Sequence, residues 1–218
     1  MTINKLGIRT VLLALSMSFA GFSGMTTAAD NSDVRDLESF DRVALSGSFD
    51  VKIMVGESQN VVVYGDDDDL EDLVTKVKRG ELQIYWEDGH RGWHHDVIEV
   101  IISVPSLTGF ELSGSGSGEI TNVDSGEFSL EISGSGKISV DGKCGDLEIE
   151  ISGSGNIDST EFICEAVSVE ISGSGDVDVY ASSSISAEIS GSGEVDVWGA
   201  PTKVSLSSSG SGSINIRD

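Results

Sequence analysis

The sequence predicts an all-β protein with one domain of the β-solenoid type, built from coils of about 19 residues. Three observations lead to this prediction. Gly-Ser-Gly recurs with steps of 18, 19, 20, 18 and 19 residues between successive copies. Apolar and polar residues alternate on both sides of each copy, which is typical of strands with one buried face. Apolar residues also recur at fixed distances from the copies, and a period near 20 residues is typical of stacked coils.

The Gly-Ser-Gly copies predict the corners between strands, because glycine turns the chain without the steric penalty of a Cβ atom. They begin at Gly116, Gly134, Gly153, Gly173, Gly191 and Gly210. In a typical copy, Leu147, Ile149 and Ile151 alternate with glutamates before the corner. A second alternating run follows the corner, so each coil is predicted to contain two strands and two bends.

Two columns of apolar residues are predicted to stack in the core. Two residues before the corners stand Gly114, Ile132, Ile151, Ile171, Ile189 and Ser208. Two residues after them stand Ile120, Ile138, Ile157, Val177, Val195 and Ile214. Each buried side chain of this size contributes roughly 1.5–3 kcal/mol. The first column lacks an apolar side chain only in its first and last copies, Gly114 and Ser208. Such end copies are expected, because an end coil has a neighbour on one side only.

The first 29 residues have the pattern of a signal peptide. Lys5 and Arg9 precede a short apolar run over residues 11–22. Small residues then lead to a predicted cleavage site after Ala29. The apolar run is shorter than the roughly 20 residues of a membrane span. We therefore expect export to the periplasm, the cell envelope or the exterior, with no membrane span after cleavage.

The remaining chain is predicted to have two unequal parts. Residues 30–37 are polar and form a leader, and residues 38–217 form the solenoid domain. Within that domain, residues 38–104 are less regular, whereas residues 105–217 carry the regular repeats. In the less regular part, Asp66 to Asp69 suit the positive end of a helix dipole, so we expect one short helical turn followed by a strand.

The charge of the chain restricts its partners. After removal of the signal peptide, 11 basic and 37 acidic residues remain, a net charge of −26. Nucleic acid and anionic membrane would be repelled by such a surface. The partners expected from the sequence are therefore a protein or glycan surface, together with a second copy of the chain if exposed strand edges pair.

Cys144 and Cys164 are the two cysteines, and each lies seven residues before the last apolar residue of the next strand. The shared offset predicts one column on adjacent coils, about 4.8 Å apart, which is compatible with a disulfide. We favour a structural disulfide in an oxidising compartment. The alternative is a pair of buried free thiols.

The ordered motifs of the chain resemble those of the autotransporter adhesin head (GIN) domain family. The resemblance covers residues 38–216 and rests on FDVKIMVG, GELQIYW, VPSLTGFELSGSG, the ISGSG units and the ending GEVDVWGAPTKVSLSSSGSGSI. It implies an exported bacterial protein with a right-handed parallel β-helix and an adhesive or structural role. It implies no catalytic residues.

One predicted outward column is acidic. Three residues after the corners stand Thr121, Ser139, Asp158, Asp178, Asp196 and Asn215. Stacked carboxylates repel one another unless they are hydrated or bridged by a cation. Asp158, Asp178 and Asp196 are therefore candidate ligands for Ca²⁺, which prefers oxygen ligands. The alternative is a solvated acidic face, and no other cofactor is expected.

The loop from Glu87 to Asp96 contains all three histidines, His90, His94 and His95. Imidazole binds zinc-like ions, so these histidines are candidate ligands for a transition metal. The alternative is an exposed polar loop. Trp86 directly precedes this loop and Trp93 lies within it. Both are expected to cover the end of the core, whereas exposed tryptophans would instead favour stacking on a sugar.

An enzymatic role is the alternative to a structural or adhesive one, because some parallel β-helices cleave polysaccharides. Asp178 and Asp196 could act as a carboxylate pair on adjacent coils. From residue 105 onward, however, the chain has no histidine and only four basic residues. The corners consist of serine and glycine, which provide no deep cleft with convergent polar groups. We therefore expect an exported protein that is not an enzyme.

Overall fold

The computed structural model describes residues 31–87 and 98–217. The described residues are nearly all-β, with 75% strand and 3% helix, and their strands form a β-solenoid of about five turns. The predicted fold class is thus confirmed. The predicted signal peptide and residues 88–96 of the predicted histidine loop lie outside the described residues. No helix among the described residues has the length and apolar character needed to cross a membrane.

The N-terminal part consists of short strands and one helical turn. Its elements are β1 (Asn31–Val34), β2 (Arg42–Gly47), β3 (Asp50–Val55), β4 (Asn60–Gly65), α1 (Asp67–Asp72), β5 (Leu73–Lys78), β6 (Glu81–Trp86) and β7 (Glu99–Val104). The expected helical turn and following strand are present, and β5 pairs with β6 in antiparallel orientation. Within the predicted leader, β1 pairs antiparallel with β4.

The C-terminal part contains the regular coils. Its elements are β8 (Gly109–Gly114), β9 (Ser117–Gly134), β10 (Lys137–Gly153), β11 (Asn156–Gly173), β12 (Asp176–Gly191), β13 (Glu194–Trp198), β14 (Lys203–Gly210) and β15 (Ser213–Ile216). The four longest strands continue around a bend of the coil, and neighbouring coils pair in parallel throughout.

The predicted isoleucine column lies in the core. Ile132, Ile151, Ile171 and Ile189 occupy successive positions of the parallel register, and all four are buried. Their alternate neighbours face outward, as the period of two along each strand requires. The column continues as Ser208 in the last coil, where the side chain is exposed.

The predicted register of the first regular copy is wrong by two residues. Gly114, rather than Gly116, pairs with Gly134, and Leu112 is the buried residue opposite Ile132. The sequence GSGSG permits both registers, and packing decides between them. A Cβ atom at Gly118 would come within 2.6 Å of the Phe110 ring, so the glycine fits against that ring.

The second predicted column changes with this register. Gly118 is the residue opposite Ile138, whereas Ile120 pairs with Val140. The outward column is affected in the same way, because Glu119 and not Thr121 lies beside Ser139.

The corner glycines are required by close approach of consecutive coils. Gly173 has φ +139°, and a Cβ atom there would clash with the carbonyl oxygen of Gly153 in the preceding coil. Ser174 donates its backbone N–H to the same carbonyl, at 2.8 Å. The corner is therefore both a turn and part of the bonding between coils.

The predicted disulfide is present. Cys144 and Cys164 are register partners on β10 and β11, and their Sγ atoms are bonded with a Cα–Cα separation of 4.5 Å. Both side chains are buried within the solenoid. The bridge covalently joins two consecutive coils.

Candidate ligand-binding face

The outward side chains after the last corners form one continuous surface, which we call the acid–aromatic face. It consists of Asp158, Asp178, Tyr180, Asp196, Trp198, Asn215 and Arg217. Alternation along each strand orients these side chains outward, because the intervening Val177, Val179, Val195 and Val197 are buried in the core.

The predicted aspartate column is assembled by the parallel register. Asp158 pairs with Asp178, Asp178 with Asp196, and Asp196 with Asn215. Adjacent strands lie about 4.8 Å apart, so the three carboxylates stand on consecutive coils within reach of one another. The predicted stacking of the three aspartates on successive coils is confirmed.

The C-terminal end of this column is neutralised by the last coil. Arg217 Nη2 donates to Asp196 Oδ2 at 2.6 Å, and Asn215 Nδ2 donates to Asp196 Oδ1 at 2.8 Å. Asn215 also donates to Glu194 Oε1 at 2.8 Å. The hydrogen bond from Arg217, with a further contribution from Asn215, holds the pKa of Asp196 below its ordinary value against the opposing effect of burial.

Asp178, in the middle of the column, has the opposite behaviour. Partial burial raises the pKa of this carboxyl group, and the charges of Asp196 and Asp158 raise it further. Burial and like charges both disfavour the ionised form. Two adjacent aspartates of the column therefore have pKa values shifted in opposite directions.

The N-terminal side of the column also ends at a basic residue. Lys52 of β3 is the register partner of Glu119, and its Nζ lies 2.8 Å from Glu99 Oε1. The hydrogen bond with Glu99 raises the pKa of Lys52. Between the two ends, Asp158 Oδ1 accepts hydrogen bonds from the backbone N–H and the hydroxyl of Thr160, at 3.2 and 2.8 Å.

The part of the chain that the structure describes contains no assembled set of metal ligands. No group of three or more His, Cys, Asp or Glu side chains is arranged there to hold a metal ion. The candidate Ca²⁺ site at Asp158, Asp178 and Asp196 and its alternative, a solvated acidic face, both stay hypotheses that a calcium titration distinguishes. The candidate histidines His90, His94 and His95 lie outside the described residues.

The aromatic part of the face lies beside the aspartates. Tyr180 and Trp198 are register partners on β12 and β13. Trp198 is 36% exposed, whereas Tyr180 is half-buried. A Cβ atom at Gly199 would lie 2.8 Å from Tyr180 Cε1, so the glycine lets the tyrosine ring lie close to the next coil. Trp86, in contrast, packs on the core with its ring 5.3 Å from that of Phe49.

A second acidic column was missed by the sequence reasoning. Five glutamates occupy consecutive positions of the register on the strand segments before the corners: Glu111, Glu131, Glu150, Glu170 and Glu188. Burial, followed by the charges of Glu111 and Glu150, raises the pKa of Glu131. The recurring sequence Glu-Ile-Ser-Gly, with leucine in the first copy, was the signal that could have revealed it.

A wide groove lies on a different side of the coils, next to the glutamate column. Arg42 and Thr108 border it at one end, and residues 125–129, 146–148 and 166–168 line the rest. Arg42 Nη2 donates to Ser129 Oγ at 3.3 Å across the first coils. The groove is open to solvent and does not enclose its acidic residues, Glu127, Asp146 and Glu148.

Comparisons with known proteins agree with the fold. A crystal structure described as a "putative adhesin" from Bacteroides fragilis is similar at 20% identity, with a TM-score of 0.74, covering 86% of this chain and 96% of that chain. A "putative lipid binding protein" from Parabacteroides distasonis is similar at 23% identity, with a TM-score of 0.55, covering 87% and 98%. No curated protein sequence matches significantly.

The family comparison covers most of the solenoid. The model of the family described as "Putative auto-transporter adhesin, head GIN domain" matches residues 39–201. This range contains the predicted motifs up to the start of the last one, together with the disulfide and most of the acid–aromatic face, so the resemblance to the family is confirmed. The chain belongs to this adhesin head GIN domain family.

Proposed function

We propose that this protein is an exported adhesive solenoid without enzymatic activity, and that it binds a neutral glycan through the acid–aromatic face. The single observation that carries the proposal is the pairing of Tyr180 with Trp198 on adjacent coils, directly beside hydrogen-bonded Asp196. Family membership and the fold of similar structures support a surface or adhesive role.

The chemistry of this face suits a sugar. An aromatic ring offers an apolar surface to the C–H face of a sugar ring. Because Tyr and Trp side chains are rigid, burying them against a ligand costs little conformational entropy. The neighbouring carboxylate, amide and guanidinium groups of Asp196, Asn215 and Arg217 can bond sugar hydroxyls. The strong negative charge of the chain opposes acidic glycans, which favours a neutral one.

The same geometry argues against hydrolysis. Opposed pKa shifts in adjacent carboxyl groups are a pattern used for acid and base catalysis. Both carboxylate oxygens of Asp196, however, already accept hydrogen bonds from Arg217 and Asn215. The face is also a flat strand surface, and it offers no enclosed cleft that would exclude water from a scissile bond.

Export is supported by three features of the chain. The predicted signal peptide precedes an acidic domain, and the buried disulfide between Cys144 and Cys164 suits an oxidising compartment. Fractionation of native cells, with the protein detected in the periplasm, envelope or medium, tests this part of the proposal. Recovery only from the cytoplasm would contradict it.

The binding proposal is tested with residues 30–218 and a panel of neutral oligosaccharides, including cellohexaose and maltohexaose, by isothermal titration calorimetry. We expect binding to at least one of them, its loss in Trp198→Ala, and its weakening in Tyr180→Ala. Ile163→Ala is the matched control, because Ile163 is an exposed apolar residue on another side of the coils. Equal binding by Trp198→Ala and the parent chain, or no binding by the panel, would overturn the proposal.

A further inference from the structure

The two ends of the solenoid differ in how they are covered. At the N-terminal end, β5 lies outside β6, and β4 and β1 lie outside β7. At the C-terminal end, β14 and β15 pair with β12 and β13 on one side. Among residues 31–87 and 98–217, no further strand pairs with their other edges.

The last coil exposes apolar side chains at positions whose equivalents are buried in the preceding coils. Val204 is 49% exposed, Leu206 is 42% exposed and Ile216 is 43% exposed. Their register partners in the preceding coil, Ile185, Ala187 and Val197, are all buried. Within residues 31–87 and 98–217, the end of the core is therefore an apolar surface bordered by two strand edges that pair with no further strand, and such edges can pair with a strand of another chain.

Both acidic columns stop before this end. Ser207 occupies the position that glutamate holds in the five preceding coils, and Asn215 follows the three aspartates. Lys203 and Arg217 add positive charge to the last coil. Like charges directly opposite one another destabilise strand pairing. At Ser207 and Asn215 the last coil has no carboxylate that would repel the carboxylates of an added strand.

We propose that a second copy of this chain covers the C-terminal end, so that two solenoids associate tail to tail through antiparallel pairing of β14 with its counterpart. A register centred on Leu206 places Val204 opposite Ser208 and Ser205 opposite Ser207. Opposed residues in an antiparallel pair share one face, so the apolar side chains of both copies stay on the core side. Because both copies use the same surface, this isologous contact closes as a two-fold dimer.

The dimer joins two cores into one longer rod. Trp198 and Arg217 belong to the last two coils, so two acid–aromatic faces are brought near the junction. Two linked binding faces increase avidity without any new contact. The dimer itself does not depend on the glycan proposal, since it rests on the exposed end of the core.

The test is the mass of residues 30–218 by sedimentation velocity over a range of concentrations. We expect a dimer for the parent chain and a monomer for Leu206→Lys, which places a charge at the contact. Ile163→Lys is the matched control, because Ile163 is 45% exposed away from this end, and it is expected to stay dimeric. A monomeric parent chain at all concentrations, or a larger open-ended assembly, would overturn the proposal.

A second pair of variants tests the contact by charge. Ser207→Glu extends the glutamate column into the contact and is expected to raise the dimer Kd several-fold, with recovery at high salt. Ser207→Gln has the same shape without the charge and is expected to dimerise like the parent chain. Equal Kd values for the two variants would contradict the proposed contact.

The register is tested by cross-linking. Leu206→Cys places one new thiol next to its counterpart across the two-fold axis, where opposed Cβ atoms lie about 4.5–5.5 Å apart. We expect a covalent dimer on mild oxidation. Ile163→Cys is the control and is expected to stay monomeric on a denaturing gel. Equal cross-linking of both variants would exclude this register.

Discussion

Arg217 Nη2 lies 2.6 Å from Asp196 Oδ2, so a residue at the last strand of the solenoid neutralises a carboxylate one coil earlier. Arg217 lies 3.9 Å from Glu194 Oε1 as well. The hydrogen bond with Asp196 raises the pKa of Arg217 in return, and the charges of Asp196 and Glu194 raise it further. The ion pair between Arg217 and Asp196 connects the last coil to the preceding one within the acid–aromatic face, and it stabilises the last coil.

Replacing Arg217 by glutamine is expected to lower the Tm at neutral pH. The pKa of Asp196 is lowered in the folded protein, so its ionised form contributes stability above the ordinary carboxyl pKa of about 3.9. That contribution is lost as the pH falls through the lowered folded-state pKa. The difference in Tm between Arg217→Gln and the parent chain should therefore shrink at acidic pH.

Thermal unfolding followed by circular dichroism across this pH range measures the effect of Arg217→Gln. Lys203→Gln is the control, because it removes one positive charge from the same end of the solenoid. We expect a smaller effect for it, since the hydrogen bond to Asp196 is made by Arg217. Equal pH profiles for the two variants would indicate a general charge effect.

Replacing Asp178 by asparagine is expected to maintain or raise the Tm at neutral pH. The pKa of Asp178 is raised in the folded protein by burial and then by neighbouring acids. The folded state therefore binds this proton more tightly than the unfolded state, and stability falls as the pH rises from the ordinary carboxyl pKa through the raised one. Asp178→Asn removes this pH dependence.

The same thermal unfolding measurements test Asp178→Asn against Asp158→Asn. Asp158 accepts two hydrogen bonds from Thr160, and its charge strengthens them, so Asp158→Asn is expected to give no gain in Tm. A lower Tm for Asp178→Asn at neutral pH would show that the Asp178 carboxylate is stabilising.

Calcium is expected to raise the Tm no more than the same concentration of magnesium. Asp196 accepts hydrogen bonds on both carboxylate oxygens, so the column leaves few oxygens for a cation that takes 6–8 oxygen ligands. Differential scanning fluorimetry with CaCl₂ and MgCl₂ makes the comparison. A calcium-specific rise in Tm that disappears in Asp178→Asn would instead establish the aspartate column as a calcium site.

Replacing the corner residue Gly173 by alanine is expected to destabilise the fold by about 2 kcal/mol or more, from backbone strain and a clash with the Gly153 carbonyl oxygen. Gly126→Ala is the matched control, since no atom lies within 4 Å of its added Cβ. We expect the control to change the free energy of unfolding by less than about 0.5 kcal/mol. Urea unfolding measures both, and comparable losses would refute the role of the corner.

The core columns and the disulfide could be predicted because they depend on spacing along the chain. Ile132, Ile151, Ile171 and Ile189 keep one offset from their corners, and a parallel stack converts equal offsets into contacts. Cys144 and Cys164 shared an offset for the same reason. The aspartate column followed from the same period.

Ambiguous spacing and long-range packing were decided by the tertiary structure. GSGSG permits two registers, and contact of Gly118 with Phe110 selects one of them. Ser159 occupies a core position among valines because its hydroxyl donates to the Asp178 carbonyl oxygen, at 2.9 Å, in the next coil.

The sequence by itself determined a stacked, acidic, all-β solenoid, since its period and alternation repeat in every regular coil. Only the tertiary structure decided which end of the core is covered and how the acidic columns end. The strands that cover β6 and β7 come from an irregular part without a repeat to align, and Arg217 reaches Asp196 through space. Such contacts depend on the path of the chain between coils, which a period along the sequence does not encode.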